Sequence, residues 1–155
     1  MSKKQLLYKD ENEAFLRKKE QEGVKPLAAG VLHEVLQVGE GPSPTLGNIV
    51  SVYYKGMLIN GKVFDDNTAQ GYPDAFRLNG LIDGWKIALT RMQVGDKWRI
   101  YVPASLGYGS VSTSGIPKYS TLIFEIELVG IALCYSSVSC SLMLSMQNVV
   151  FRLPL

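Results

Sequence analysis

The stretch that decides the fold is Val52-Tyr-Tyr-Lys-Gly-Met-Leu-Ile-Asn-Gly-Lys-Val-Phe-Asp65. Its first half belongs to a β-branched and aromatic run from Ile49 to Leu58, the composition of a strand. Asn60-Gly61 follows, and Asn-Gly between two such runs predicts a tight type I′ hairpin, with Lys62–Asp65 as the returning strand. Downstream, Asp66 to Asp74 reads as a loop and Ala75 to Leu78 as a short extended piece. Ile82, Trp85, Leu89 and Met92 fall on one face of a helix of about three turns that ends before Gly95. Lys97–Val102 reads as a strand with Ile100 and Val102 on one face, and a Gly/Ser-rich loop spans Leu106 to Ile116. From Thr121 to Gly130, Leu122, Phe124, Ile126 and Leu128 alternate with Thr121, Glu125 and Glu127, the period of a half-buried strand.

Upstream, Val31–Val38 is a further strand, closed by the turn-rich segment 39–47. Residues 3–23 are charged and free of proline, with apolar side chains at Leu7, Ala14, Phe15 and Leu16 and a Glu13/Arg17 pair at i,i+4. This predicts a weakly amphipathic helix ended by Gly23 and Pro26, a solubilising arm rather than a binding element. Adjacent strands with hairpin signals and one central helix imply an antiparallel α+β domain, preceded by an N-terminal helical arm. The chain divides into an arm and linker (1–30), a domain (31–131) and an atypical apolar tail (132–155).

Bulk properties exclude several functions. The chain has 155 residues, 16 basic against 14 acidic, and a net charge of +2, so nothing supports nucleic-acid binding. Cys134, Cys140 and the single His33 lack metal-site or redox spacing, so no metal is expected. His33 has no nucleophile in a triad context. Asp65 and Asp66, adjacent on a strand, point to opposite faces and make a poor acid–base pair; Asp66 is read as a turn cap. The N-terminus lacks the apolar core of a secretory signal, which predicts a cytoplasmic protein, and the serine-interleaved tail is a poor membrane anchor.

The quoted stretch resembles the FKBP signature V-x-Y-x-G-x-L-x-x-G-x-x-F-D. Five further pieces follow in the family's order: Phe76-x-Leu78 with Leu81-Ile82-x-Gly84-Trp85, Met92-x-Val94-Gly95-Asp96, Leu106-Gly-Tyr-Gly109, Ile116-Pro117 and Thr121–Leu128. The resemblance covers about Val31 to Ile131, and the N-terminal arm is similar to that of short bacterial cytoplasmic members. It implies a twisted antiparallel β-sheet wrapped around one short central α-helix, and a peptidyl-prolyl cis/trans isomerase that assists folding and needs no cofactor. The alternative is a chaperone module that binds proline segments with little turnover. By resemblance Trp85 is the pocket floor, and Tyr54, Phe64, Leu81, Ile82, Ile116 and Phe124 are its walls. Asp65, the Tyr108 phenol and the Ile82 N–H are the polar contributors. Asp65 could instead satisfy nearby backbone, and Tyr108 could cap its loop. On this reading Phe124→Ala lowers turnover with the fold retained.

The resemblance also implies its partners: proline-containing peptides, unfolded protein clients and macrolides such as tacrolimus and rapamycin, without nucleic acid or membrane. Two positions depart from the pattern. Asp74 stands where an aromatic often closes a wall, and Gln70 where a basic residue often faces the pocket aspartate. Both predict a more open pocket and weaker macrolide binding.

Overall fold

The computed structural model describes residues 1–133; the expected tail beyond Leu133 lies outside the described residues. Helix α1 (Lys3–Gln21) opens on a capping box, in which the Gln5 N–H donates to Ser2 Oγ at 3.2 Å and the Ser2 N–H donates back to Gln5 Oε1 at 3.0 Å. It closes before Gly23, as expected. The strands are β1 (Lys25–Pro26), β2 (Leu32–Gln37), β3 (Ile49–Met57), β4 (Val63–Asp66) and β5 (Asp74–Arg77), then helix α2 (Asp83–Leu89), β6 (Lys97–Val102) and β7 (Leu122–Ala132). They form one antiparallel sheet in the order β1-β2-β6-β7-β3-β4, with β5 also on β3. The sheet thus takes in Lys25 and Pro26, which the sequence reading left in a linker. Among the described residues no helix is long and apolar enough to cross a membrane.

Strand β3 is the hub. One side pairs with β7 from Ile49↔Ala132 to Met57↔Ile123, and the other pairs first with β5 and then with β4. Alternation then sorts the side chains. Val50, Val52 and Tyr54 of β3, Ile100 and Val102 of β6, and Leu122, Phe124, Ile126 and Leu128 of β7 all face α2. There they bury Trp85, Ala88, Leu89 and Met92, the periodic face read from the sequence.

The structure corrects four readings. The hairpin after β3 is not type I′, which needs positive φ at both central residues. Only Gly61 (φ +85°) is left-handed, and the Leu58 N–H to Lys62 O bond (2.9 Å) closes a three-residue loop. A type I turn followed by a left-handed glycine supplies the strand twist with Asn60 in ordinary conformation; Asn60 Oδ1 instead accepts from the Lys62 N–H at 3.0 Å. Helix α2 has two turns rather than three, and Met92 joins the core from the turn that follows, its N–H on Ala88 O at 3.1 Å. Glu13 reaches Lys9 (3.8 Å) rather than Arg17. Finally, α1 is not a free arm. Phe15 and Leu16 pack on Val24, Leu32, Tyr101 and Ile123, on the sheet face opposite α2. Thr121, read as solvent-facing, is 2% exposed beneath it.

Candidate active site

Trp85, in the first turn of α2, is the hub of an aromatic cluster. Its ring meets Tyr54 at 5.1 Å, Phe124 at 5.2 Å and Phe76 at 6.0 Å, all edge-to-face, and Phe64 stands edge-on to Phe124 at 5.6 Å. Such T-shaped pairs set positive ring edges against negative faces, adding about 0.5–1.5 kcal/mol each beyond burial. The residue of the β3 motif that permits this is Gly56, where a Cβ would lie 2.6 Å from the Phe64 ring and 3.0 Å from Phe124. Leu81 and Ile116 belong to the same cluster, with Phe64, Ile82 and Tyr108 packed against it. All nine sequence-identified residues therefore converge, Asp65 through its contact with Tyr54.

Their roles divide differently from the expectation. Tyr54, Trp85 and Phe124 are 0% exposed, so Phe124 is core beneath the site and its truncation attacks the fold. The open space lies alongside, a cleft of about 410 Å³ lined by Leu81, Ile82 and Tyr108 with Val111 and Thr113. Sequence reading had left Val111 and Thr113 in an unassigned loop. Phe76 was likewise not singled out as a site residue, although the quoted Phe76-x-Leu78 marked it.

The polar groups sit at the cleft's margin. Asp65 Oδ2 accepts from the Tyr54 hydroxyl at 2.6 Å, and Oδ1 from the Asp66 N–H at 3.0 Å, so a buried phenol fixes the carboxylate. The Tyr108 hydroxyl is buried and has no hydrogen-bond partner among the described residues. Burial, and then the Asp65 charge, push its pKa up to about 12, so it is a neutral donor at physiological pH. The Ile82 N–H, just ahead of α2, has no backbone acceptor among the described residues, whereas the Ile82 carbonyl accepts from Trp85 and Lys86. Asp66 is the turn cap expected: the Thr68 hydroxyl and N–H donate to it at 2.6 and 2.8 Å and hold its carboxyl below the usual range.

Asn67 was missed. It is 1% exposed and fills the gap between β4 and β5, accepting from the Tyr54 N–H at 2.7 Å and donating to Val52 O at 3.0 Å. A side-chain amide thus continues the β3 ladder where no strand does. It also donates to Asp74 Oδ2 at 3.0 Å, while Gln70 donates to Asp74 Oδ1 at 3.0 Å. The two departures noted in sequence are therefore bonded to each other within the loop, and Asp74 is 4% exposed.

Residues 41–129 match the model of the FKBP-type peptidyl-prolyl cis-trans isomerase domain. The chain is 46% identical over 124 residues to the peptidyl-prolyl cis-trans isomerase Mip of Coxiella burnetii, covering 79% of this chain and 54% of that one. It is 39% identical over 123 residues to the FKBP-type isomerase FkpA of Escherichia coli, covering 79% and 44%. The chain thus spans about half the length of the curated relatives it matches. The crystal structure of a peptidyl-prolyl cis-trans isomerase from Pseudomonas syringae superposes with a TM-score of 0.75 at 38% identity, over 81% of this chain and 94% of that one. By sequence and by overall superposition, the chain belongs to the family of FKBP-type peptidyl-prolyl cis-trans isomerases.

Proposed function

We propose that this chain accelerates cis/trans rotation about X-Pro peptide bonds. The observation that carries the reading is the buried, unpartnered Tyr108 hydroxyl at a cleft that lies beside the Trp85 aromatic cluster. Rotation of a peptide bond must break amide resonance, a barrier of about 18–20 kcal/mol. The twisted amide has lost its resonance dipole and is less polar than the planar one. An apolar surface such as the one Leu81, Ile82 and Val111 give the cleft therefore favours the twisted form. The Tyr108 hydroxyl and the Ile82 N–H supply donors for carbonyls flanking proline, and Asp65, held by Tyr54, sets the field beside them. No group need gain or lose a proton. The substrates are proline-containing peptides and flexible protein chains, and tacrolimus or rapamycin would compete weakly.

The test is the cis-to-trans rate of an Ala-Leu-Pro-Phe peptide with and without the protein, beside a Tyr108→Phe/Asp65→Leu double variant. Acceleration that drops by about tenfold or more in the folded variant is expected. No acceleration by folded wild-type chain would sink the reading and leave a proline-binding module.

A further inference from the structure

The loop from Tyr108 to Pro117 carries both the Tyr108 hydroxyl and Ile116, and its two ends meet at one short segment, Tyr119-Ser120-Thr121. The Tyr119 N–H donates to Gly109 O at 2.8 Å, with Tyr119 itself at φ +63°, a conformation that non-glycine residues adopt at a cost. Ser120 Oγ donates to Pro117 O at 2.7 Å. What holds this segment is α1. Because the Ser120 proton is committed to Pro117, the Tyr8 hydroxyl is the donor in its 2.8 Å bond to Ser120 Oγ. Asn12 Oδ1 accepts from the Thr121 N–H at 2.7 Å, and the Thr121 hydroxyl donates to Asn12 O at 3.3 Å. Asn12 Nδ2 is in turn held by Tyr8 O at 2.8 Å, and Lys9 lies 5.7 Å from the Tyr119 ring centre. Asn12, Ser120 and Thr121 are all at most 3% exposed, so these bonds are shielded from water.

Apart from the Phe15 and Leu16 patch, the contact is loose on the side of this loop. Between α1 and the turn at residues 103–110 the surfaces stand apart around a cleft of about 360 Å³. Tyr8 and Asn12 therefore reach across as two polar posts rather than as part of continuous packing.

We propose that α1 is a positioning element of the site: through Tyr8 and Asn12 it fixes the base of the Tyr108–Pro117 loop, and so the placement of the Tyr108 hydroxyl and Ile116 against bound peptide. The proposal rests on the isomerase reading for its effect on turnover, but not for its effect on the loop. Neither residue touches substrate. Removing the Asn12 acceptor leaves the buried Thr121 N–H unpaired, and the segment must shift to hydrate it. The loop then moves with it.

The experiment compares wild-type chain, Asn12→Leu and Tyr8→Phe by kcat/KM on the Ala-Leu-Pro-Phe peptide, thermal midpoint, and amide resonances of Gly107, Tyr108, Gly109 and Ile116. Asn12→Leu is expected to lower kcat/KM by about tenfold, and Tyr8→Phe by about threefold, the size of one net hydrogen bond. The loop amides shift in both, while the Trp85 indole N–H resonance stays in place. Folded variants with wild-type turnover and unmoved loop amides overturn the proposal. If Asn12→Leu fails to fold, Tyr8→Phe decides alone, since it removes only a hydroxyl. A wild-type chain inert on peptide sinks the isomerase reading, and the loop resonances still decide the positioning.

Discussion

The two faces of the sheet are built from the same strands by opposite means. Against α2, side chains from β3, β6 and β7 close on Trp85 in an apolar, interlocked aromatic cluster. Against α1, only a small apolar patch around Phe15 and Tyr101 forms, and the other half of the contact is the Tyr8 hydroxyl donating to Ser120 and Asn12 accepting from Thr121. One face stores stability in close packing. The other gives direction to a particular loop with modest burial.

Truncation tests that contrast most severely. Phe124→Ala empties the space beneath the site and is expected to cost about 3–5 kcal/mol in denaturant unfolding. A loss under about 1 kcal/mol would mean that the α2 face can collapse and is not interlocked as described. On the opposite face, Phe15→Ala removes a half-buried ring and should cost only about 1–2 kcal/mol, since partial burial yields a fraction of the full transfer energy. Equal losses on both faces would erase the distinction.

The smallest effect is a titration. Tyr101 on the α1 face and Tyr108 at the site are each pushed up to about 12. Burial is the larger cause in both, followed by the hydrogen bond to Glu34 for Tyr101 and the Asp65 charge for Tyr108. The folded chain thus keeps both protons above pH 10, where the unfolded chain releases them. Their contribution to stability is present below about pH 10 and is lost as pH rises through about 12. Spectrophotometric titration of Tyr108→Phe should lose one late phenol step relative to the wild-type chain. Loss of a step near pH 10 instead would show the Tyr108 hydroxyl to be solvated.

The α2 face was legible in sequence because each of its rules is local. Period-two alternation in β7, the i,i+3,i+4 spacing around Trp85 and the glycine of the β3 motif each carry their meaning within a few residues. Even there the apolar period overran the helix, since Met92 keeps the spacing after the helix has ended. The α1 face was not legible. Its inward stripe is Tyr8, Asn12, Phe15, Leu16 and Lys19, and half of it is polar, so hydrophobic periodicity is faint although the helical spacing is intact. Leu7 and Ala14, read as apolar markers, point outward. The capping box at Ser2 and Gln5 could have been read from the S-x-x-Q spacing. Asn67 could not: besides Asp74, its partners are backbone groups of β3 more than a dozen residues away, and nothing in its neighbours announces them.

The pairing of β3 with β7 has a consequence for the birth of the protein. The hub strand is made early, but its main partner begins only at Leu122, and Phe124, the Trp85 contact and the Asn12 anchor at Thr121 all arrive with it. A nascent chain that has emerged only as far as Pro117 holds the hairpin and α2 without the strand that joins them. Long-range pairing of this kind waits for the closing segment. Ribosome-bound chains tethered so that emergence stops short of residue 122 or extends past residue 132 should therefore switch abruptly from protease-sensitive to protease-resistant, the site appearing in one step as β7 emerges.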